Sequence, residues 1–116
     1  MSEDKMMETG IFVNLNEAGL AKALQNGRVS VIDFWAPWCR PCKAMGAVLD
    51  RVAPEFAERI SFFKVNVDAE PSLALRFGIT AIPTLLAFKG PALLGRYEGK
   101  IADRDVVTWL ESLLNG

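Results

Sequence analysis

The sequence contains no histidine and only two cysteines among 116 residues. Without histidine, the protein has no Ser-His or Cys-His nucleophilic pair and no metal centre with imidazole ligands. A structural zinc site takes about four ligands, so the two cysteines would have to recruit carboxylates to complete one. We therefore expect no bound metal.

An excess of charge of one sign and a long apolar run are also missing. Thirteen basic and fourteen acidic residues give a net charge of −1, which provides no electrostatic footprint for nucleic acid or an anionic membrane. No run approaches the ~18 apolar residues of a membrane span. Residues 1–10 have one apolar pair, Met6-Met7, and lack the ~7–15-residue apolar core of a signal peptide. We expect a cytoplasmic protein that binds neither nucleic acid nor membranes.

Length and apolar content predict a single domain. A chain of 116 residues that is 51% hydrophobic is long enough to bury a core and too short for two typical domains. The sequence shows no internal repeat, linker or low-complexity tract. We expect a flexible tail over residues 1–10, one domain over residues 11–116, and a monomer.

Hydrophobic periodicity predicts alternating strands and helices. The predicted strands are 11–15, 29–35, 61–67, 84–89 and 93–98, and the predicted helices are 17–25, 42–59, 70–77 and 103–114. Strand 29–35 is apolar on both faces, which suits a central strand covered by helices. Pro54 should kink or split the long helix. Together with a turn at Gly90-Pro91, these elements predict an α/β fold in the order βαβαβαββα, a mixed sheet of about five strands flanked by four helices.

Both cysteines lie in one motif, Trp38-Cys39-Arg40-Pro41-Cys42, at the start of a predicted helix. Thiols three positions apart at a helix start share a face and can form a disulfide within one turn. So small a loop constrains the unfolded chain little, which favours a redox switch over a stabilising crosslink. The helix N-terminus favours an anion at Cys39, the predicted nucleophile, whereas Cys42 should lie deeper as the resolving thiol. Pro41 suits a first helical turn and limits its flexing. The alternative is a pair of buried, inert cysteines.

Segments beyond this motif carry a resemblance to a known family. They are Asp33-Phe34-Trp35-Ala36, Trp38-Cys39, Pro41-Cys42-Lys43, Lys64-Val65-Asn66-Val67-Asp68, Phe77-Gly78-Ile79, Ile82-Pro83-Thr84 and Gly99. In this order and spacing, over about residues 11–116, the chain resembles the thioredoxin family. A lone CxxC is a weak signal, whereas CxxC after a strand with a distant Ile-Pro-Thr is specific. The resemblance implies the thioredoxin fold and a dithiol carrier that reduces disulfides in client proteins.

The resemblance also implies partners. A flavin-containing, usually NADPH-dependent thioredoxin reductase would recharge the dithiol, and the chain itself would bind no cofactor. Two other functions stay open from the sequence. One is an oxidase or isomerase on the same fold, which would be expected in an oxidising compartment. The other is a scaffold subunit whose cysteines are dispensable.

Asp33 is a carboxylate in an otherwise apolar strand, where its charge costs several kcal/mol unless it is paired or protonated. Lys64, the only charge in the segment 61–65, is its natural partner. From the residues alone, a structural ion pair and a catalytic role are both open. The resemblance implies that Asp33 lies beneath the dithiol and transfers a proton with Cys42, with Lys64 nearby.

The resemblance also implies a surface that contacts the substrate. Trp38 is either simply a core or surface aromatic or, beside the nucleophile, a residue that covers the thiol and contacts the partner. Pro83 alone is an ordinary strand-start proline. For Ile82-Pro83-Thr84 the resemblance implies a cis bond before Pro83 that packs on the disulfide, and free backbone to which a substrate adds as a short strand. Gly99, by itself a turn residue, lies on the same surface in the family.

The chain departs from the family pattern at two places. Arg40 replaces the usual glycine, and Glu98 and Lys100 replace small or apolar neighbours of Gly99. No thiol or proton acceptor is lost, so we expect an altered partner range and an unaltered reaction. Arg40 either folds back on Cys39, favouring the thiolate and raising the reduction potential by roughly 20–30 mV, or points into solvent with little effect.

Overall fold

The computed structural model describes residues 11–115. In chain order, the elements of this part are β1 (Phe12–Asn14), α1 (Glu17–Ala23), β2 (Val29–Trp35), α2 (Arg40–Val52), a 3-10 helix (Ala53–Phe56), β3 (Ile60–Asn66), α3 (Pro71–Arg76), β4 (Thr84–Lys89), β5 (Ala92–Tyr97) and α4 (Asp103–Asn115). The predicted order βαβαβαββα is confirmed. The expected tail over residues 1–10 lies outside the described residues.

Strand β2 lies at the centre of a five-stranded mixed sheet of order β1-β3-β2-β4-β5. It pairs in parallel with β3, with Asp33 opposite Lys64, and antiparallel with β4, with Phe34 opposite Thr84. All of its residues from 29 to 34 are buried. The continuous apolar run predicted this position, because only a strand covered on both faces buries every side chain.

The sheet separates two apolar cores. Side chains along β2 alternate between its faces. Val31 belongs to the core under α2 and α4, whereas Ile32 and Phe34 belong to the core under α1 and α3. By the same alternation, Asp33 faces the side of the sheet that α2 covers.

Helix α2 is shorter than predicted. It runs from Arg40 to Val52, and the 3-10 helix that contains Pro54 follows it. Proline has no N–H and its ring clashes with the carbonyl of the preceding turn, so the α-helix ends before it. The apolar spacing continues beyond this break because Phe56 and Ile60 remain buried in the same core. The predicted split at Pro54 is therefore confirmed, and the helical segment ends before the predicted residue 59.

Two glycines provide a matched test of the backbone. A Cβ added at Gly46 or at Gly27 meets no atom within 4 Å, but Gly46 lies inside α2 and Gly27 has a φ of 79°. Because alanine loses less backbone entropy in a helix, Gly46→Ala should raise the free energy of unfolding by about 0.5–1 kcal/mol. Gly27→Ala should lower it by about 1 kcal/mol, since a Cβ disfavours positive φ. Urea denaturation measures both, and two changes of the same sign would contradict this account.

Candidate active site

The end of β2 leads directly to the two cysteines. Cys39 is the N-cap residue of α2, and Arg40 and Pro41 form the start of the helix. Cys39 and Cys42 form a disulfide, with their Cα atoms 5.2 Å apart. The backbone N–H of Cys42 donates to Cys39 Sγ, at an N···S distance of 3.2 Å. The helix N-terminus thus directs an unpaired donor at the first sulfur, as the sequence predicted.

Both cysteines are buried. Cys39 is 4% exposed and Cys42 is 3% exposed. They pack against Ala36, and Trp35, Val67 and Ile82 border this cluster. Cys42 is therefore hardly deeper than Cys39. What distinguishes the two sulfurs is the position of Cys39 at the N-cap of α2, and not the difference in depth that we expected.

The segment before β4 lies against the disulfide. The Ile82-Pro83 peptide bond is cis, as the resemblance implied. The carbonyl oxygen of Ile82 lies 3.9 Å from Cys39 Sγ. Thr84 is fully buried, and its hydroxyl donates to the carbonyl oxygen of Ala81 at 2.6 Å. This hydrogen bond braces the turn that presents the Ile82 carbonyl to Cys39.

Trp38 is a surface residue. Its side chain is 68% exposed, which excludes a core aromatic and leaves a surface aromatic or a partner contact. Its Nε1–H donates to Asp68 Oδ2 at 2.9 Å. A groove of about 320 Å³ lies beside it and ends at Ile82. The groove is also lined by Val67, Pro71, Ala74 and Ile79.

Several residues of this surface had no role predicted from the sequence. Asp68 orients Trp38 from 30 positions away, and Ala74 and Ile79 line the groove. Asp68 lies in one of the segments that carry the resemblance, but no spacing rule connects it with Trp38. These contacts depend on the arrangement of β3 and α3 in space.

Gly99 lies against Tyr97. A Cβ at Gly99 would lie 2.9 Å from the Tyr97 ring, and the Tyr97 hydroxyl donates to the carbonyl oxygen of Lys100 at 2.6 Å. Gly99 therefore permits this close approach of the ring. It is not among the residues that line the groove or border the cysteine cluster.

The other unusual charges lie on the surface. The Glu98 carboxylate pairs with Arg96. Arg40 is exposed, and its side chain forms no hydrogen bond or ion pair with any residue in 11–115. In this disulfide form Arg40 therefore does not fold back on a partner.

Asp33 is a buried carboxyl below α2. It is 2% exposed, and its Oδ1 has no hydrogen-bond partner. Burial raises the pKa of Asp33 from 3.8 to about 7, with Lys64 opposing the rise and Asp50 adding to it. Asp33 borders a cavity of about 50 Å³ that is also lined by Phe12, Gly46, Leu49, Asp50 and Lys64. Asp33 thus changes its charge near neutral pH.

Lys64 is the strand neighbour of Asp33 without being its ion-pair partner. The two residues are in register on β2 and β3, yet the salt bridges of the described part of the chain do not include them. Lys64 Nζ instead lies 4.7 Å from the centroid of the Trp35 ring, a cation–π distance. The alternative of a structural ion pair is therefore not supported by this structure.

Comparison with known proteins decides the family. A sequence model described as thioredoxin matches residues 11–112. The chain belongs to the thioredoxin family. A thioredoxin of Haemophilus influenzae is 34% identical over 99 residues, which cover 84% of this chain and 92% of that protein. A thioredoxin of Alicyclobacillus acidocaldarius is 41% identical over 78 residues, or 67% of this chain and 74% of that protein.

Solved structures agree with the thioredoxin fold. Oxidised mitochondrial thioredoxin 3 of Saccharomyces cerevisiae superposes with a TM-score of 0.79 at 27% identity, covering 90% of this chain and 97% of that one. With its cysteines at disulfide distance, this member of the thioredoxin family is a thiol-disulfide oxidoreductase that reduces protein disulfides. Thioredoxins generally interact with thioredoxin reductase and with disulfide-containing clients. Within residues 11–115, none of the helices has the length and apolarity needed to cross a membrane.

The Asp33 carboxyl should make stability depend on pH. Its pKa of about 7 in the folded state lies above the value of 3.8 for an unperturbed carboxyl, so between these values the folded chain keeps a proton that the unfolded chain releases. The free energy of unfolding should fall by about 1.4 kcal/mol per pH unit over this range and level off above it. The stability gained from protonated Asp33 is fully present below about pH 4 and is lost once pH has risen through about 7.

Asp33→Asn, which cannot ionise, should remove this dependence and be more stable than the wild type at about pH 8 by up to ~4 kcal/mol. Urea denaturation of both proteins at about pH 5 and 8 measures the difference. If the free energy of unfolding falls equally in the wild type and in Asp33→Asn between about pH 5 and 8, the Asp33 carboxyl does not cause the pH dependence.

Proposed function

We propose that this oxidoreductase is a general electron carrier of the cytoplasm that reduces client disulfides through the Cys39–Cys42 pair. The observation that carries the proposal is the disulfide at the N-terminus of α2, with the Ile82 carbonyl beside Cys39 Sγ. The cytoplasm is the proposed compartment because its conditions keep thiols reduced, which a carrier of reducing equivalents requires.

The reaction begins with the Cys39 thiolate. It attacks one sulfur of a client disulfide, so that a Cys39–client bond forms, the client S–S bond breaks, and the departing sulfur takes up a proton. The Cys42 N–H that donates to Cys39 Sγ in the disulfide, together with the start of α2, stabilises negative charge on this sulfur. Cys42 then attacks Cys39 Sγ, re-forms the Cys39–Cys42 disulfide, and releases the second client thiol. Two electrons and two protons have passed to the client.

Asp33 is the proposed acceptor of the Cys42 proton. A base is most effective when its pKa lies near the working pH, and that of Asp33 is about 7. The cavity at Asp33 reaches Gly46, which lies four residues after Cys42 and hence on the same face of α2. At about 50 Å³, the cavity exceeds the ~10–15 Å³ needed for one water molecule, which can relay the proton. Lys64 favours the ionised form of Asp33 by its charge.

The client segment is proposed to dock as an added strand beside the cysteines. The backbone before Pro83 lies against Cys39 and supplies hydrogen-bonding groups for such a strand. Trp38 and the apolar groove next to it would contact client side chains, and Thr84 holds the segment in shape. Gly99 does not line this groove, so no client contact is assigned to it.

Recharging requires an external reductant, since each turnover leaves the pair oxidised. We propose a flavin-containing, NADPH-dependent thioredoxin reductase as the donor, with no cofactor held by this chain. Bacterial and chloroplast proteins named thioredoxin are among its relatives, and family membership supports this donor class.

Cysteine variants test the reaction. Cys39→Ser should abolish dithiothreitol-driven reduction of insulin disulfides, because the attacking sulfur is gone. Cys42→Ser should accumulate covalent mixed disulfides with clients, because the resolving sulfur is gone. The double serine variant is the control: if it retains the same partners as Cys42→Ser, the chain acts as a scaffold and the reductase proposal fails.

Arg40→Gly tests whether the unusual residue alters the chemistry. Because Arg40 is exposed and makes no ion pair in the described part of the chain, screening should keep the change in reduction potential below about 10 mV. Equilibration of both proteins with a glutathione buffer measures the potential. A decrease of roughly 20–30 mV would instead show that the guanidinium engages the Cys39 thiolate.

A further inference from the structure

Asp50 shares the cavity of Asp33. It lies on α2, is exposed, and lines the same cavity of about 50 Å³. Cys42, Gly46 and Asp50 are spaced by four residues, so they form one row along the helix. The row leads from the resolving cysteine, past the glycine at the cavity wall, to a carboxylate at the protein surface.

The cavity brings the Asp33 carboxyl close to other charged side chains. Within the sheet, Asp33 is in register with Lys64 on β3 and with Leu85 on β4. Its Oδ1 has no hydrogen-bond partner. The charged groups that line the cavity with it are Lys64 on β3 and Asp50 on α2, and its other walls are Phe12, Gly46 and Leu49.

These two charges act on Asp33 in opposite directions. The Lys64 ammonium favours the ionised carboxylate, whereas the Asp50 carboxylate favours the protonated form. A buried site screens both effects less than solvent does. A cation from the sheet and an anion from the helix thus have opposite effects on the pKa of a carboxyl that titrates near neutral pH.

We propose that Asp50 is a positioning residue for the second step of the reaction: from the solvent end of the cavity it holds Asp33 ready to accept the Cys42 proton. This rests on the proposed role of Asp33. By opposing Lys64, Asp50 keeps Asp33 a stronger base for the Cys42 proton.

The test starts with the oxidised protein, in which no turnover occurs. The Asp33 carboxyl is titrated by carbon-13 NMR in the wild type and in Asp50→Asn, with Glu55→Gln as the matched control. Glu55 is an exposed acid of the 3-10 helix that does not line the cavity. Its variant therefore removes the same charge as Asp50→Asn, but away from the cavity. Asp50→Glu keeps the charge at the cavity.

We expect Asp50→Asn to move the Asp33 midpoint to lower pH, with at least about a twofold larger ratio of ionised to protonated Asp33 near pH 6. Glu55→Gln and Asp50→Glu should titrate as the wild type does, and Lys64→Gln should move the midpoint the opposite way. If Asp50→Asn and Glu55→Gln titrate alike, the inference about Asp50 is overturned, and the proposed thiol chemistry is untouched.

The second readout is the rate at which Cys42 resolves a mixed disulfide on Cys39, measured against pH. The pH profile of Asp50→Asn should move to lower pH by the same amount as its Asp33 titration. A purely structural role of Asp50 would lower the rate at all pH values without moving the profile, which contradicts the proposal. If the titration moves and the profile does not, Asp33 does not serve Cys42, and the proposed proton transfer fails with it.

Discussion

The burial of β2 from Val29 to Phe34 is the constraint on which the rest of the structure depends. It pairs with β3 on one side and β4 on the other, and both of its faces are covered by helices. A slip of one residue would exchange every side chain between the two cores, so its register is strongly specified. Since Cys39 follows this strand by only four residues and opens α2, the position of the disulfide is specified with it.

The same burial makes the ionised form of Asp33 unfavourable, and the proposed proton transfer depends on this effect. In a strand with no exposed face, Asp33 is only 2% exposed and has no salt bridge within the described part of the chain. Desolvation penalises its charged form and moves its titration to about pH 7. Stability is thus lost in the pH range where the proposed base for Cys42 titrates, a trade-off typical of functional sites.

The residues proposed to react are buried, whereas those proposed to contact partners are exposed. Cys39, Cys42 and Asp33 are almost inaccessible, whereas Trp38 and Arg40 are exposed. If clients dock on these exposed residues as proposed, a change there should alter which clients dock and leave the environment of the sulfurs almost as it was. Because Arg40 is exposed, we expect the replacement of the family's usual glycine to bear on recognition more than on the exchange reaction.

Local patterns determined much of this protein. Two-residue alternation, helical spacing and the CxxC motif predicted every strand and helix within two residues except the end of α2, because these signals act between near neighbours. Tertiary structure alone decided what depends on strand order. It placed Ile82 against Cys39 across 43 positions, directed Lys64 at Trp35, set Gly99 under Tyr97, and joined Asp33 with Asp50 around one cavity. The sheet order β1-β3-β2-β4-β5 brings together segments that no spacing rule connects, since long-range contacts arise only when both cores are packed.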